Sequence, residues 1–271
     1  MEDVILALAL KYNGGFDNIL TAIQLGETVT EEQKKSAIKS VKEKGYKYTT
    51  LVSEDYPSIF KDMTSPPFAV FYKGNLGLLD ATIGHNTLVN ITGTKTYDDY
   101  GKKVTKQVVK VLCKKEKCII ITGNNFGVES IIVDTVLEKG SKIIIVYNGG
   151  TEENEEKSLA EILKLLKENN YSKNDYLIVT EYPNTVYAEI ETVKKYRRYN
   201  TERLAISMSD KLLITASTDE NLQSYLTANV MGKDIFVVPA PYDNQVLTNN
   251  HLLNGGVKAL AMVDNLFEDY D

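Results

Sequence analysis

The sequence predicts a doubly wound α/β fold, with a mostly parallel sheet and a small helical module at the N-terminus. Three observations lead there. From about residue 86 onward, short apolar runs alternate with stretches of helical length, the rhythm of strand–helix–strand units. Those runs are rich in β-branched residues and apolar on both faces, as strands covered on both sides of a parallel sheet must be. The chain has 271 residues, 43% hydrophobic and 25% charged, which is enough to build a substantial core.

Residues 1–45 read as helices. Ile5, Leu6, Leu8 and Leu10 make a short apolar element that breaks at Asn13-Gly14-Gly15. Thr30-Glu31-Glu32-Gln33 has capping-box spacing: a hydroxyl to accept from the third helical N–H and an amide to reach back. The helix it opens runs through Ala37, Ile38 and Val41, and Gly45 is placed to end it. The helical module is set at residues 1–54 and the core at 55–271. A turn-rich passage from Asp55-Tyr56-Pro57 to Ser65-Pro66-Pro67 leads into a strand, Phe68 to Tyr72, closing at Lys73-Gly74-Asn75. Further strands are expected at Leu88–Ile91, Cys118–Ile121, Lys142–Val146, Tyr176–Val179, Leu212–Ile214 and Ile235–Val238. The intervening helices include 100–114, 128–139, 155–168 and 220–231. Asp264 to Asp271 reads as a solvated acidic tail.

Net charge is 31 − 37 = −6 with a pI near 5.2, so an anionic ligand would need a local patch or backbone amides to hold it. The N-terminus lacks a basic leader region and its apolar run is too short to span a bilayer, so a cytoplasmic protein with no membrane partner is expected. The two cysteines, Cys113 and Cys118, read as reduced thiols, and with two histidines in the chain no structural metal is expected.

In open parallel sheets, ligands bind beyond the carboxyl ends of the strands. Three turns fall there: Thr92-Gly93-Thr94-Lys95, Thr122-Gly123 through Phe126-Gly127, and Thr180-Glu181-Tyr182-Pro183. The second turn is G-x-x-x-G, not the G-x-G-x-x-G of dinucleotide sites, and neither a P-loop nor a nucleophile elbow occurs. No cofactor is expected. Glu129 and Glu181 each follow a strand, and a pair of carboxylates meeting at the sheet edge would suit acid/base chemistry. The main electrostatic feature is Lys194-Lys195-Tyr196-Arg197-Arg198-Tyr199-Asn200-Thr201-Glu202-Arg203, where 5 basic residues less 1 acid give +4. Arginines pair with phosphates, and tyrosines among them can stack on unpaired bases. A second basic group, Lys102, Lys103, Lys106 and Lys110, lies on one helix near Gly93.

At these residues the sequence resembles the DNA-processing protein A family (DprA, also called Smf), from residue 55 onward. Tyr56-Pro57, Pro66-Pro67 and Phe71-Tyr72-Lys73-Gly74-Asn75 are similar to the family's entry segment. Ile91-Thr92-Gly93-Thr94-Lys95 with Tyr100-Gly101 is similar to its "VGSR…YG", and Thr122 to Glu129 to its "SGxAxGID". Glu181-Tyr182-Pro183 fits "SEYP", Gly232 to Pro239 is close to "GRxVFAVPG", and Asn250 to Val257 fits "TNxLIxxGA". There are departures. Lys95 stands for an arginine, Glu129 for an aspartate, Val133 for a histidine, and Thr201-Glu202 for Arg-Asn. The "SGSL" turn reads Asp219-Glu220-Asn221-Leu222.

The resemblance implies a Rossmann-like core, not an enzyme, that binds single-stranded DNA and assists loading of a RecA-type recombinase in natural transformation or recombination; a homodimer is compatible with it. It implies that Lys95, Arg197, Arg198, Arg203 and Lys233 neutralise phosphates, that backbone amides near Gly93, Gly123 and Gly127 cradle one, and that Asn250 adds a polar contact. Two other readings stand beside it: a nucleotide-binding or nucleotide-hydrolysing enzyme on a related core, and a degenerate member serving as a protein-interaction module.

Overall fold

A computed structural model describes residues 1–80, 86–149, 157–183, 191–218, 222–244 and 246–267, with side chains of 191–194 outside the description. The first helices are α1 (Glu2–Lys11), α2 (Phe16–Gln24) and α3 (Glu31–Glu43). The capping box at α3 forms as its spacing predicts: Gln33 N–H donates to Thr30 Oγ1 and Thr30 N–H to Gln33 Oε1.

Strand β1 (Lys47–Thr50) follows, then α4 (Ser58–Lys61) and β2 (Ala69–Gly74). The regular alternation begins at β3 (Thr87–Gly93) and runs through α5 (Asp99–Leu112), β4 (Cys118–Thr122), α6 (Val128–Lys139), β5 (Ile143–Val146), α7 (Leu159–Glu168) and β6 (Tyr176–Thr180). The long α8 (Glu191–Ser207) leads back to β7 (Lys211–Ala216), followed by α9 (Leu222–Val230), β8 (Asp234–Val237), α10 (Asn249–Asn254) and β9 (Lys258–Ala259). No helix among the described residues is long and apolar enough to cross a membrane.

The described strands form one nine-stranded sheet in the order β1-β2-β6-β5-β4-β3-β7-β8-β9. From β6 to β9 neighbouring strands are parallel; β2 is antiparallel to both its neighbours. Alternation along each strand assigns its side chains to two layers. Val89, Ile91, Ile120, Ile143, Ile145, Ile178 and Leu213 pack beneath α5, α6 and α7. Leu88, Ile119, Ile121, Ile144, Val146, Leu177 and Val179 face Leu204, Ala205 and Met208 of α8 together with Phe60 of α4. All of these are buried, which is why the strands read as continuous apolar runs.

Strand β1 has no such signature and lies inside the segment expected to be helical. Its inward residues, Thr49 and Thr50, are polar; Thr49 donates to Asp55 Oδ1 at 2.8 Å and Thr50 shares hydrogen bonds with Ser53. It pairs with β2 from Lys47↔Tyr72 to Thr50↔Ala69, so the sheet crosses the expected 54/55 boundary. Helices α1 to α3 share a core with this pair: Leu6, Leu8, Ile19 and Val41 pack with Phe68, Ala69 and Phe71.

On the opposite side of the sheet, Asn249 joins the ends of β7 and β8. Its Oδ1 accepts from Ser217 N–H (2.7 Å) and Oγ (2.9 Å), and its Nδ2 donates to the carbonyls of Thr215 (3.1 Å) and Val238 (2.7 Å). The residue is fully buried. Replacing it by alanine strands these groups away from water, so Asn249→Ala is expected to cost about 3 kcal/mol, read as a melting temperature lower by roughly 6–12 °C.

Candidate functional site

Strand β3 lies between β4, which follows it, and β7, which the chain reaches only after α8 has crossed back. This is the topological switch point, where adjacent loops part and leave a crevice at the carboxyl end of the sheet. The turns here approach so closely that side chains are excluded. A Cβ on Gly93 would lie 2.6 Å from both the Ala216 carbonyl oxygen and Val128 Cγ1. Gly127 has φ +92° and would place a Cβ 2.5 Å from Lys95 Cα, a position that demands glycine twice over. These contacts lock the Thr94-Lys95 turn onto the start of α6, where Val128 N–H donates to the Thr94 carbonyl at 3.1 Å.

The Gly123 turn was expected to cradle an external anion. It already holds an internal one. Glu129 in the first turn of α6 accepts from Asn125 N–H (3.0 Å), Asn125 Nδ2 (2.7 Å) and Thr92 Oγ1 (3.2 Å). A Cβ on Gly123 would lie 2.4 Å from Glu129 Oε2, so the glycine makes room for this carboxylate. One amide of the turn, that of Asn125, is thus engaged by Glu129, for which Gly123 makes room.

Below the turn lies a polar cavity of about 20 Å³, bordered by Asn90, Asn148, Arg198, Glu202 and Ser224 as well as Glu129. That is room for a water or so, not for a nucleotide. Burial, and then the nearby Glu129 carboxylate, push the Glu202 carboxyl up to about 7, opposed by a hydrogen bond from Ser224 and by the Arg198 charge. Glu129 and Glu202 thus oppose a further negative charge at the switch point.

The remaining basic residues have distinct fates. Lys95 is half-buried in the turn after β3, and Arg198 borders the cavity. Arg197 is 2% exposed, its guanidinium 4.7 Å above the Tyr182 ring, whose hydroxyl accepts from Asn200 Nδ2 at 2.7 Å. Arg203 points inside: it donates to the Ser65 carbonyl and to both oxygens of Glu181 at 3.1 and 3.3 Å. Complete burial pushes the Glu181 carboxyl above its ordinary range, and the adjacent guanidinium opposes this. Glu181 is therefore committed to Arg203 and does not form an acid/base pair with Glu129.

Lys233 donates to the carbonyls of Ser207 (3.2 Å) and Ser209 (2.6 Å), closing the end of α8. Asn250 exchanges two hydrogen bonds with the Ala240 backbone, at 3.1 and 3.0 Å. Arg203, Lys233 and Asn250 thus have internal partners, whereas the sequence reading gave them phosphates or a ligand contact. In the second basic group, Lys106 lies 3.7 Å from Glu138 on α6. The Asp219-Glu220-Asn221 part of the acidic turn, His85 and the Lys194 side chain lie outside the described residues. The sequence reading noted Glu202 only as a departure from the resembling family and gave Asn249 no role. The signal for Glu202 is an acid one turn from Arg198, within a helix that packs on the sheet face.

This is a Rossmann-like α/β protein whose switch point carries two carboxyl groups of its own, Glu129 and Glu202. The chain belongs to the DNA recombination-mediator protein A family, whose model matches residues 47–271. It is 23% identical over 266 residues to the DNA processing protein DprA of Bacillus subtilis, covering 90% of this chain and 83% of that protein. The DprA of Streptococcus pneumoniae is 22% identical over 226 residues, covering 82% and 73%. The crystal structure of the pneumococcal protein superposes with a TM-score of 0.70 at 19% identity, over 89% of this chain and 81% of that one. A Helicobacter pylori DNA processing protein A, whose structure concerns its single-stranded DNA binding mode, superposes with a TM-score of 0.63 at 24% identity, over 84% and 99%.

Two outcomes follow from the buried charges. The folded chain keeps the Glu202 proton to about pH 7, whereas the ordinary value is 4.5, so stability falls as pH rises across that window. Glu202→Gln is expected to match wild type near pH 5 and exceed it by up to about 3 kcal/mol at pH 8, measured by denaturant unfolding at both pH values. Arg203→Ala leaves Glu181 buried and unpaired and is expected to destabilise by about 3–5 kcal/mol, with unfolding monitored by circular dichroism.

Proposed function

We propose that this chain binds single-stranded DNA without acting on it chemically, and passes the strand to a RecA-type recombinase during recombination or DNA uptake. The observation that carries this reading is the family match over residues 47–271, and the Helicobacter pylori relative is one whose single-stranded DNA binding has been described. The surface chemistry supports it. Lys95 and Arg198 both border the Gly123–Gly127 turn, a cationic rim on a chain of net charge −6. With Glu129 in the turn, phosphates are received along the outer edge of Gly93 and Gly127 rather than inside the crevice. A strand running along a rim suits such a site better than a small nucleotide, which needs an enclosing pocket. The nucleotide-hydrolase reading loses its acid/base pair, because Glu181 is closed by Arg203.

A second reading, an interaction protein that has given up DNA, is favoured by one observation: Glu129 and Glu202 together at the switch point. Fluorescence anisotropy of a labelled single-stranded oligonucleotide at several salt concentrations separates the two. For a DNA binder, the logarithm of affinity falls linearly with the logarithm of salt, and Lys95→Ala and Arg198→Ala each lower the slope by about one. Glu202→Gln tightens binding above pH 7, where the native carboxyl is charged. Absence of single-strand binding at low salt would leave the interaction reading.

A further inference from the structure

The helical N-terminal segment meets the core in a second cleft that the switch-point site does not use. Its described walls are Tyr12, Asn13 and Asn18 on one side and Tyr182, Tyr196 and Arg197 on the other, around about 340 Å³. That volume lies within the range of small-ligand sites.

The walls are partly rigid. The Tyr12 hydroxyl donates to Glu27 Oε2 at 2.5 Å, and the Tyr182 ring is held between Asn200 and the Arg197 guanidinium. Tyr196 instead leaves 45% of its surface open where it lines the cleft. Asn13 and Asn18 are exposed, and each side-chain amide offers both a donor and an acceptor. Asp17 sits in the same lining and repels a phosphate. Flat apolar faces with polar edges fit such a cleft; a bare anion does not.

The cleft is next to the rim. Successive residues of a helix point about 100° apart, and Arg197 borders this cleft while Arg198 borders the switch-point cavity. Gly149 after β5 links the two, since a Cβ there would lie 2.9 Å from Tyr182 Cβ and 3.1 Å from an Arg197 guanidinium nitrogen, next to Asn148 of the cavity.

We propose that this cleft receives one unpaired base of a DNA strand, stacked on Tyr196 and met at its edge by Asn13 and Asn18, while Lys95 and Arg198 hold the neighbouring phosphates. The proposal rests on the single-strand reading above and adds to it a base subsite built jointly by the N-terminal helices and the core.

The test combines affinity with mapping. Tyr196→Ala is expected to weaken an oligonucleotide roughly five- to a hundredfold while leaving the salt slope unchanged, the mark of a lost stacking contact rather than a lost phosphate contact. Tyr196→Phe keeps the ring and is expected to bind as wild type, and Asn18→Ala to lose affinity without losing slope. Photo-crosslinking of full-length protein to an oligonucleotide carrying 5-iododeoxyuridine should label the peptides containing Tyr12 or Tyr196. If wild type binds with a slope that depends on Lys95 and Arg198, yet Tyr196→Ala and Asn18→Ala are silent and crosslinks fall elsewhere, the base subsite is wrong and the single-strand reading stands. If free nucleoside monophosphates occupy the cleft and an oligonucleotide does not displace them, the subsite assignment also falls. If wild type binds no strand at low salt, both readings fall together.

Discussion

The ion pair between Arg203 and Glu181 governs where everything else in the site lies. Helix α8 must carry the chain from β6 back across the sheet to β7, and it does so along the sheet face that Leu88, Ile119, Ile144 and Leu177 present to it. Arg203 ties its middle to the turn that ends β6 and, through the Ser65 carbonyl, to the segment before β2. Both charged groups are nearly or wholly buried, so the pair contributes mainly by geometry: neither member can be left alone in that environment. Arg197, Arg198 and Glu202 ride on the same helix, and their positions follow from it.

The second constraint is electrostatic. A turn whose amides and glycines would suit a phosphate is held closed by Glu129, and Glu202 adds a second carboxyl with only Arg198 and Ser224 to moderate it. A protonated Glu202 is the tolerated state in such surroundings. Glu202 therefore couples the charge of the switch point to pH near neutrality, while Lys95 lies in the turn after β3. On the proposed reading, an anion is therefore received at the rim of the crevice and not inside it.

How much of this was legible in the sequence depends on what each residue type reveals by itself. The central strands were legible because burial on both faces leaves an uninterrupted apolar run, and the α3 capping box because two side chains at fixed spacing serve two backbone donors. Strand β1 was not, since its inward residues are threonines satisfied by Asp55 and Ser53. Asn249 and Asn250 are neighbours of one type; only the fold tells which bridges two strands and which mimics a backbone partner. The +4 stretch was visible as charge, but charge counts do not record direction.

Direction is what turns that stretch into a site. On a helix that packs by one side, adjacent arginines cannot share an environment. Arg197 goes to an aromatic wall, Arg198 to the edge of the polar cavity, and Arg203, five residues further on, to the interior. A run that looks like a uniform basic face thus contributes one structural cation, one that stiffens a ring, and one that borders the polar cavity. On the single-strand reading proposed above, a chain of net charge −6 attracts a polyanion only through such local cations, and the acidic remainder of its surface discourages binding elsewhere.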